Sequence, residues 1–239
     1  MNHEFEGVED YNNHGALLGF DGLEGEELLG ALKRMNPVHR AQTINKLAQP
    51  PARSRGSRAE MEKHFRELPH SIRQALLKGD LRLADTVVYS IKPVSSKTTK
   101  LFETQDTKTV GLCNISNAKL PKNQALLVSG IILLAGVSAD ATNDKIMSTA
   151  FDGIEAIPAL ITGELDLKAN KKQIMPETSC DIFRTTGFNM TRLGYYKLDN
   201  PRLIHDDVMI ELTLTLGTMA GIAPFTYVFA GLHGTVTTP

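Results

Sequence analysis

The chain has 239 residues, of which 41% are hydrophobic and 22% charged, and its formal net charge at pH 7 is −1. This composition is ordinary for a soluble globular protein. Its two cysteines, Cys113 and Cys180, exclude a disulfide framework and predict two buried thiols of a reducing cytosol. The acidic N-terminus predicts no signal or transit peptide, and the apolar run at residues 125–139 is too short to predict a membrane span.

The near-neutral total hides an uneven distribution of charge. Residues 1–30 hold eight acidic side chains and no Lys or Arg, hence a net charge of −8. Residues 31–82 hold twelve basic and four acidic side chains, hence +8, and residues 83–239 hold fourteen basic and fifteen acidic ones, hence −1. This asymmetry predicts a charged N-terminal arm with short helices over residues 1–82 and a folded body over residues 83–239.

Cap residues and prolines divide the arm into short helical segments. The first three helices are predicted over residues 23–35, 37–49 and 57–67. A fourth begins after Pro69, carries Ile72 and Leu76 on one side, and ends at Gly79. Helices of this length are marginal alone, so we expect the arm to be partly flexible, with the first twenty residues mobile.

From residue 84 the hydrophobic period changes from that of a helix to two, which is the period of a half-buried strand. Eight strands are predicted, over residues 85–92, 107–115, 125–137, 157–167, 179–185, 194–198, 208–216 and 225–236. Turn signals separate them at residues 117–123, 140–144, 169–172 and 199–201. We therefore expect a mainly β protein, a single eight-stranded antiparallel sandwich of jelly-roll type preceded by the helical arm, with an immunoglobulin-like sandwich as the competing topology.

The basic stretch of the arm is the first candidate functional feature. Its candidate contact residues are Arg53, Arg55, Arg58, Lys63, Arg66 and Arg73. They could neutralise the phosphates of a nucleic acid or contact the acidic surface of a neighbouring subunit. A solvated linker is the alternative interpretation, because clustered charge alone is a weak signal.

Signals for catalysis are weak. The chain has no G-x-S-x-G, P-loop, H-E-x-x-H or C-x-x-C motif. His205, Asp206 and Asp207 are weak candidate metal ligands, although a polar turn before the next strand is favoured. His233 is expected to be a hydrogen-bonded core or interface residue. Glu164 and Asp166 are two residues apart on one strand face, which is close enough for paired-carboxylate chemistry. A solvent-facing row is favoured, because they lie opposite the apolar face of the strand. We predict no catalytic residues, no metal and no cofactor.

Three stretches carry a resemblance to a known class of proteins. They are LPHSIRQALLKGDLRLADTVVYSI at residues 68–91, NPRLIHDDVMIELTLTL at residues 200–216 and TYVFAGLHGTV at residues 226–236. Together with the charged arm, they resemble the jelly-roll coat proteins of small or tailless icosahedral viruses and phages. In such proteins the body tiles the shell, and the arm reaches under neighbours or toward the interior.

The resemblance implies a self-assembling capsid subunit, made in the host cytoplasm and located in the virion. Its partners would be copies of itself and other virion proteins, with genome nucleic acid or an internal lipid layer as open further partners, and it would not be an integral membrane protein. Strand faces rich in Thr would suit semi-polar contacts between subunits, through Thr213, Thr215, Thr226, Thr235 and Thr237. The alternatives are a jelly-roll binding module (a phage fibre, vertex or decoration protein) and, third, a metal-dependent enzyme on a cupin-like barrel.

Overall fold

The structure is a computed structural model that describes residues 36, 61, 63–185 and 192–239. The chain divides into two compact units, Met1–Arg66 and Glu67–Pro239. All strands of the described part belong to the second unit. The arm helices predicted over residues 23–35 and 37–49, and most of the one over 57–67, lie outside the described residues. The predicted domain boundary after residue 82 falls where the first strand begins, whereas the compact unit itself begins at Glu67.

Helix α1, His70–Lys78, is the fourth helix that the sequence predicted. It begins after Pro69 and ends at Gly79, whose φ of 81° is the left-handed conformation of a helix C-cap. The Gly79 amide donates to the Leu76 carbonyl at 3.1 Å, which closes the last turn. Ile72 and Leu76 are buried, although neither belongs to the hydrophobic core of the two sheets.

The second unit contains two four-stranded antiparallel sheets. The strands are β1 Arg82–Pro93, β2 Thr98–Lys100, β3 Ala125–Val137, β4 Glu164–Ala169, β5 Lys172–Ser179, β6 Tyr195–His205, β7 Ile210–Thr215 and β8 Thr226–Thr238. Sheet 1 has the order β1-β8-β3-β6, and sheet 2 has the order β2-β7-β4-β5. The protein is therefore mainly β, with a sandwich-like architecture.

The strand pairs follow a simple rule. β1 pairs with β8, β2 with β7, β3 with β6 and β4 with β5, so the two strand numbers of each pair add up to nine. These four pairs are the rungs of one long hairpin whose tip is the β4–β5 turn. The two further pairs, β3 with β8 and β4 with β7, join the rungs into the two sheets.

One hydrophobic core contains side chains from both sheets. Leu126, Val128 and Ile131 of β3 belong to it, as do Leu165 of β4 and Leu212 of β7. The predicted alternation of residues 208–216 is confirmed, because the apolar side chains of β7 are buried and the polar ones between them are not. Burial of each such side chain contributes about 1.5–3 kcal/mol to stability.

Short helices occupy the connections. They are α2 Asn143–Met147, α3 Pro158–Ile161 and the 3-10 turns Phe65–Glu67, Ile154–Ala156 and Cys180–Phe183. Two predicted strands are therefore wrong, because residues 107–115 lie in the β2–β3 loop and residues 179–185 contain a 3-10 turn. The strand predicted over 157–167 is helical in its first half, since Pro158 stands at the start of α3.

Two strands were missed. β2 is only three residues long, and its register is set by the ladder that it forms with β7. β5 carries Pro176 and buries only Met175, so its sequence has little strand-like alternation. Both are strands because a partner strand offers hydrogen bonds, which a local pattern does not encode.

The predicted turn at residues 169–172 is confirmed as the tip of the β4–β5 hairpin. Asn170 and Lys171 have φ of 49° and 63°, as a type I′ turn requires. The turn predicted at residues 199–201 instead lies within β6. Lys197 pairs with Gly130 and Arg202 pairs with Val128, so the intervening residues of β6 bulge out of the ladder.

Candidate functional site

A cleft lies where the two sheets end beside each other. Among the described residues, β6 is the terminal strand of sheet 1 and β5 that of sheet 2, so each has an edge with which no described strand pairs. The cleft has a volume of about 430 Å3 and is lined by Glu67, Ala169, Asn170, Lys172, Gln173, Ile174, Arg202, Leu203, Ile204, His205 and Val208. This volume is within the range of ligand pockets in proteins, which is about 300–1,000 Å3.

The cleft combines an apolar floor with a charged rim. Ile174 and Val208 are half-buried and Ile204 is buried, so the floor is apolar. Lys172 and Arg202 are exposed cations that line the cleft from β5 and β6. Such an arrangement suits a ligand that has both apolar and anionic groups.

The structure separates the members of the His205-Asp206-Asp207 triplet. His205 lines the cleft, and its Nδ1 is enclosed without a hydrogen-bond partner. Asp206 accepts a hydrogen bond from the Asn123 amide at 2.7 Å through Oδ2, which fastens the β6–β7 connection to the loop before β3. Asp207 is exposed and has a φ of 61°. In the described part of the chain, no group of three His, Cys, Asp or Glu side chains is placed to bind a metal ion.

The predicted basic contact residues are spread over the two units. Arg53, Arg55 and Arg58 lie outside the described residues. Lys63 and Arg66 are exposed and belong to the first unit. Arg73 lies on α1 of the second unit and is half-buried, with its Nε enclosed and without a hydrogen-bond partner.

The sequence patterns do not predict the apolar outer face of sheet 1. This face is defined by Val87, Tyr89 and Ile91 of β1, Phe229 and His233 of β8, and Ile132 and Leu134 of β3. Tyr89 stacks on Phe229 with ring centroids 5.5 Å apart, and Phe151 lies against the same ring at 6.1 Å. The chain itself covers part of this face, since the Gly111 amide donates to the Tyr89 hydroxyl at 3.1 Å.

At one end of sheet 1, four apolar side chains are exposed. We call this group the apolar end, and it consists of Val110, Val137, Met147 and Phe225, with exposed fractions of 85%, 53%, 44% and 46%. Val137 ends β3, and the Ser138 amide beside it donates to the Phe225 carbonyl at 2.9 Å. Met147 packs against the loop at Val110, since a Cβ on Gly111 would lie 2.6 Å from its Sδ.

The two halves of the apolar end are linked through residues next to them in the sequence. A Cβ on Gly136, which precedes Val137, would lie 2.7 Å from the Thr149 side chain, two residues after Met147. Phe225 has a φ of 58°, a left-handed conformation that is rare for an aromatic residue. Such backbone strain is concentrated at functional positions, where the surroundings hold an unfavourable conformation in place.

The outer face of sheet 2 is polar. Thr213 of β7 lies between Lys100 of β2 and Asp166 of β4. Asp166 Oδ2 accepts a hydrogen bond from Lys168 at 2.5 Å, and Glu164 is exposed. The expected solvent-facing row at Glu164 and Asp166 is therefore confirmed.

The prediction that threonines form an interface row is wrong for three of the five. Thr226, Thr235 and Thr237 are at most 1% exposed. The Thr237 hydroxyl accepts a hydrogen bond from the Ala125 amide at 2.9 Å, so it is part of the packing of sheet 1. Thr213 and Thr215 remain accessible on sheet 2.

An ion-pair cluster fixes the long loop between β2 and β3. Lys92 of β1 donates to Glu103 at 3.0 Å and to Asp106, which is 9% exposed. Burial alone would lower the pKa of Lys92, but its hydrogen bonds to Asp106 and Glu103 raise the pKa overall. The hydrogen bond from Lys92 lowers the pKa of Glu103. The cluster therefore favours the charged forms of both side chains.

His233 lies on the outer face of sheet 1, as a half-buried residue in contact with neighbouring side chains. Its ring meets the Tyr195 ring edge-on with centroids 5.5 Å apart, and its Nδ1 is 3.3 Å from Ser129 Oγ. Burial lowers the pKa of His233; Asp85 opposes this shift and Arg192 adds to it. Folding therefore favours the neutral imidazole of His233 over its protonated form.

The expectation of two buried thiols is confirmed. Cys180 is fully buried, and Cys113 is 6% exposed. Burial raises the pKa of Cys180 to about 12, with a smaller contribution from Glu164, and burial also raises the pKa of Cys113. Neither thiol has the lowered pKa and the exposure that a nucleophilic cysteine needs.

Comparisons with known proteins leave the chain without an assigned family. None of the helices in the described part of the chain has the length and apolar character that a bilayer crossing requires. No protein-family model matches the chain, and no curated protein is significantly similar to it.

Proposed function

We propose that this protein is a self-assembling coat subunit with a jelly-roll body. The observation that carries the proposal is the apolar end, because exposed apolar side chains gathered in one place favour protein–protein contact. Thermodynamically, covering them with a second protein removes apolar surface from water.

The order of the strands supports the jelly-roll part of the proposal. A jelly roll is a long hairpin of eight strands wound into two four-stranded sheets. Winding the hairpin described above brings β8 beside β3 and β7 beside β4, which are the two pairs that complete the sheets. This scaffold occurs in viral capsid proteins, and also in lectins and cupins, so the surface and not the fold argues for the coat function.

Electron microscopy and light scattering of the purified full-length chain test the proposal. We expect regular multi-subunit particles or sheets in the micrographs and a concentration-dependent mass above that of a monomer. A stable monomer at the highest attainable concentration would contradict the proposal. It would favour the binding-module alternative, for which the cleft between β5 and β6 is the argument.

A single substitution tests the contribution of the apolar end. Phe225→Asp places a charge on the exposed aromatic position, and we expect it to abolish particles, because an uncompensated charge is costly in an apolar contact. Asp is also better tolerated than Phe in the left-handed conformation, so folding is retained. Thr213→Asp, on the polar face of sheet 2, is the matched control and should assemble as the unmodified protein does.

A further inference from the structure

The proposed function rests on the apolar end and uses neither the acidic leader, defined as residues 1–30, nor the β5–β6 cleft. At the cleft, two strand edges have no partner strand in the part of the chain that the structure describes, and such edges can bind an added strand through main-chain hydrogen bonds. Pro176 limits the available edge of β5 to residues 172–175, because proline has no amide to donate. The bulge of β6 limits its regular edge to residues 202–205. The cleft therefore offers room for one short extended segment.

The chemistry of the cleft specifies the composition of that segment. The rim has cations at Lys172 and Arg202, with Glu67 as the carboxylate among the lining residues. The Asp206 carboxylate beside the cleft already accepts the Asn123 amide. The floor is apolar, and the enclosed His205 Nδ1 lacks a hydrogen-bond partner. A segment of alternating acidic and apolar side chains would match the rim and the floor.

The leader has this composition. It holds eight acidic residues and no Lys or Arg, and its first acidic group places Phe5 between Glu4 and Glu6. In an extended chain, successive side chains point to opposite sides. Phe5 would then face the floor while Glu4 and Glu6 point toward the rim. Charge complementarity thus selects the leader as the occupant.

We propose that the β5–β6 cleft of one copy binds the acidic leader of a second copy by strand addition. The proposal rests on the proposed function in that it supplies one of the contacts by which subunits join. The leader is tethered to its own body, so each exchanged leader links two copies and raises the effective concentration of every other contact between them.

A cysteine cross-link tests the proposal in the full-length chain. Phe5→Cys is combined with Ile174→Cys, and isotopically light and heavy protein are mixed before oxidation. We expect mixed light–heavy cross-linked dimers in about ten-fold higher yield than from the control pair Phe5→Cys with Thr213→Cys, because only the first pair would be held in register. Equal yields from the two pairs, or cross-links within single copies only, would overturn the proposal.

A charge exchange provides a second test that leaves the packed interior unchanged. Lys172→Glu with Arg202→Glu should weaken self-association about ten-fold or more at low salt, since both cations would be replaced by repelling groups. Lys100→Glu with Lys168→Glu, on the outer face of sheet 2, is the matched control. Adding Glu4→Lys and Glu6→Lys to the cleft variant should restore association. Unchanged association in the cleft variant, or no restoration, would overturn the proposal.

The outcomes separate this inference from the proposed function. If particles form in the microscope without the mixed cross-link, the leader proposal fails and the coat function stands. If the mixed cross-link forms and particles do not, the leader exchange stands and the coat function fails.

Discussion

The outer faces of the two sheets differ although both sheets share one core. On sheet 1 the outer face is apolar and aromatic, and it is half-buried around Tyr89 and Phe229. On sheet 2 the outer face carries accessible threonines, carboxylates and lysines, such as Thr213 and the Lys168–Asp166 pair. The core requires only the inner face of each sheet to be apolar. The outer face of sheet 1 makes a second contact within the chain, because Phe151 lies against Phe229 and the Gly111 amide donates to the Tyr89 hydroxyl at 3.1 Å.

The burial patterns of β7 and β3 show this difference. The inner and outer side chains of β7 alternate between buried and accessible, as in a sheet with one wet face. β3 is buried from Ala125 to Leu133 without interruption, so both of its faces are covered. A continuous apolar run in an antiparallel strand thus indicates a sheet that makes contacts on both sides.

The largest expected effect concerns Leu127, which is fully buried on the outer side of β3. We expect Leu127→Ala to lower the free energy of unfolding by about 2–5 kcal/mol, the usual cost of a cavity in a packed interior. Leu212→Ala, on the inner side of β7, should cost a similar amount. Chemical denaturation followed by circular dichroism measures both.

The polar face of sheet 2 supplies the control. Thr213→Ala should change the free energy of unfolding by no more than about 0.5 kcal/mol, as at most accessible positions. If Leu127→Ala were as mild as Thr213→Ala, the outer side of sheet 1 would not be packed, and the contrast between the faces would fail.

A smaller effect is expected for the ion pairs of Lys92 and Lys168. Lys92→Met removes the cation that faces Asp106 and Glu103, and we expect a loss of about 1–2 kcal/mol, the lower end for charged hydrogen bonds, because Lys92 keeps some contact with water. Lys168→Met removes a pair on the outer face of sheet 2 and should have little effect on denaturation. Equal losses of unfolding free energy in the two variants would mean that the burial of Asp106 does not strengthen its ion pair with Lys92.

The smallest effect is a pH dependence from His233. Burial lowers its pKa in the folded protein, so the unfolded chain binds a proton first as the pH falls. The contribution of the neutral imidazole is thus present above the ordinary histidine pKa and is lost as the pH falls from that value through the lower pKa of the folded protein. His233→Gln should flatten this part of the profile of unfolding free energy against pH. A profile with the same slope in both proteins would contradict the assignment.

Much of the architecture could be predicted from periodicity. The alternation over residues 208–216 and the apolar run over 125–137 correspond to β7 and β3, and proline and glycine mark both ends of α1. The predicted number of strands is right, but two of the predicted strands are wrong and two real ones were missed. β2 and β5 are defined by their partners, and hydrogen bonds between distant segments leave no local pattern.

The candidate site was less predictable for the same reason. The sequence identified His205, Asp206 and Asp207 as neighbours, but strand ends send adjacent side chains in different directions. The cleft depends on Ile174 and Arg202, which lie in separate strands and come together only because β5 and β6 end their sheets. The apolar end likewise joins residues from four segments, each of which looks unremarkable by itself.

The pairing rule has a consequence for synthesis on the ribosome. All strands of sheet 2 precede residue 216, whereas sheet 1 requires β8, which lies between β1 and β3. A nascent chain that has not yet reached residue 226 has every strand of one sheet but lacks the central strand of the other. Because such distant pairings form slowly, sheet 1 is completed last, after every strand of sheet 2 has been synthesised.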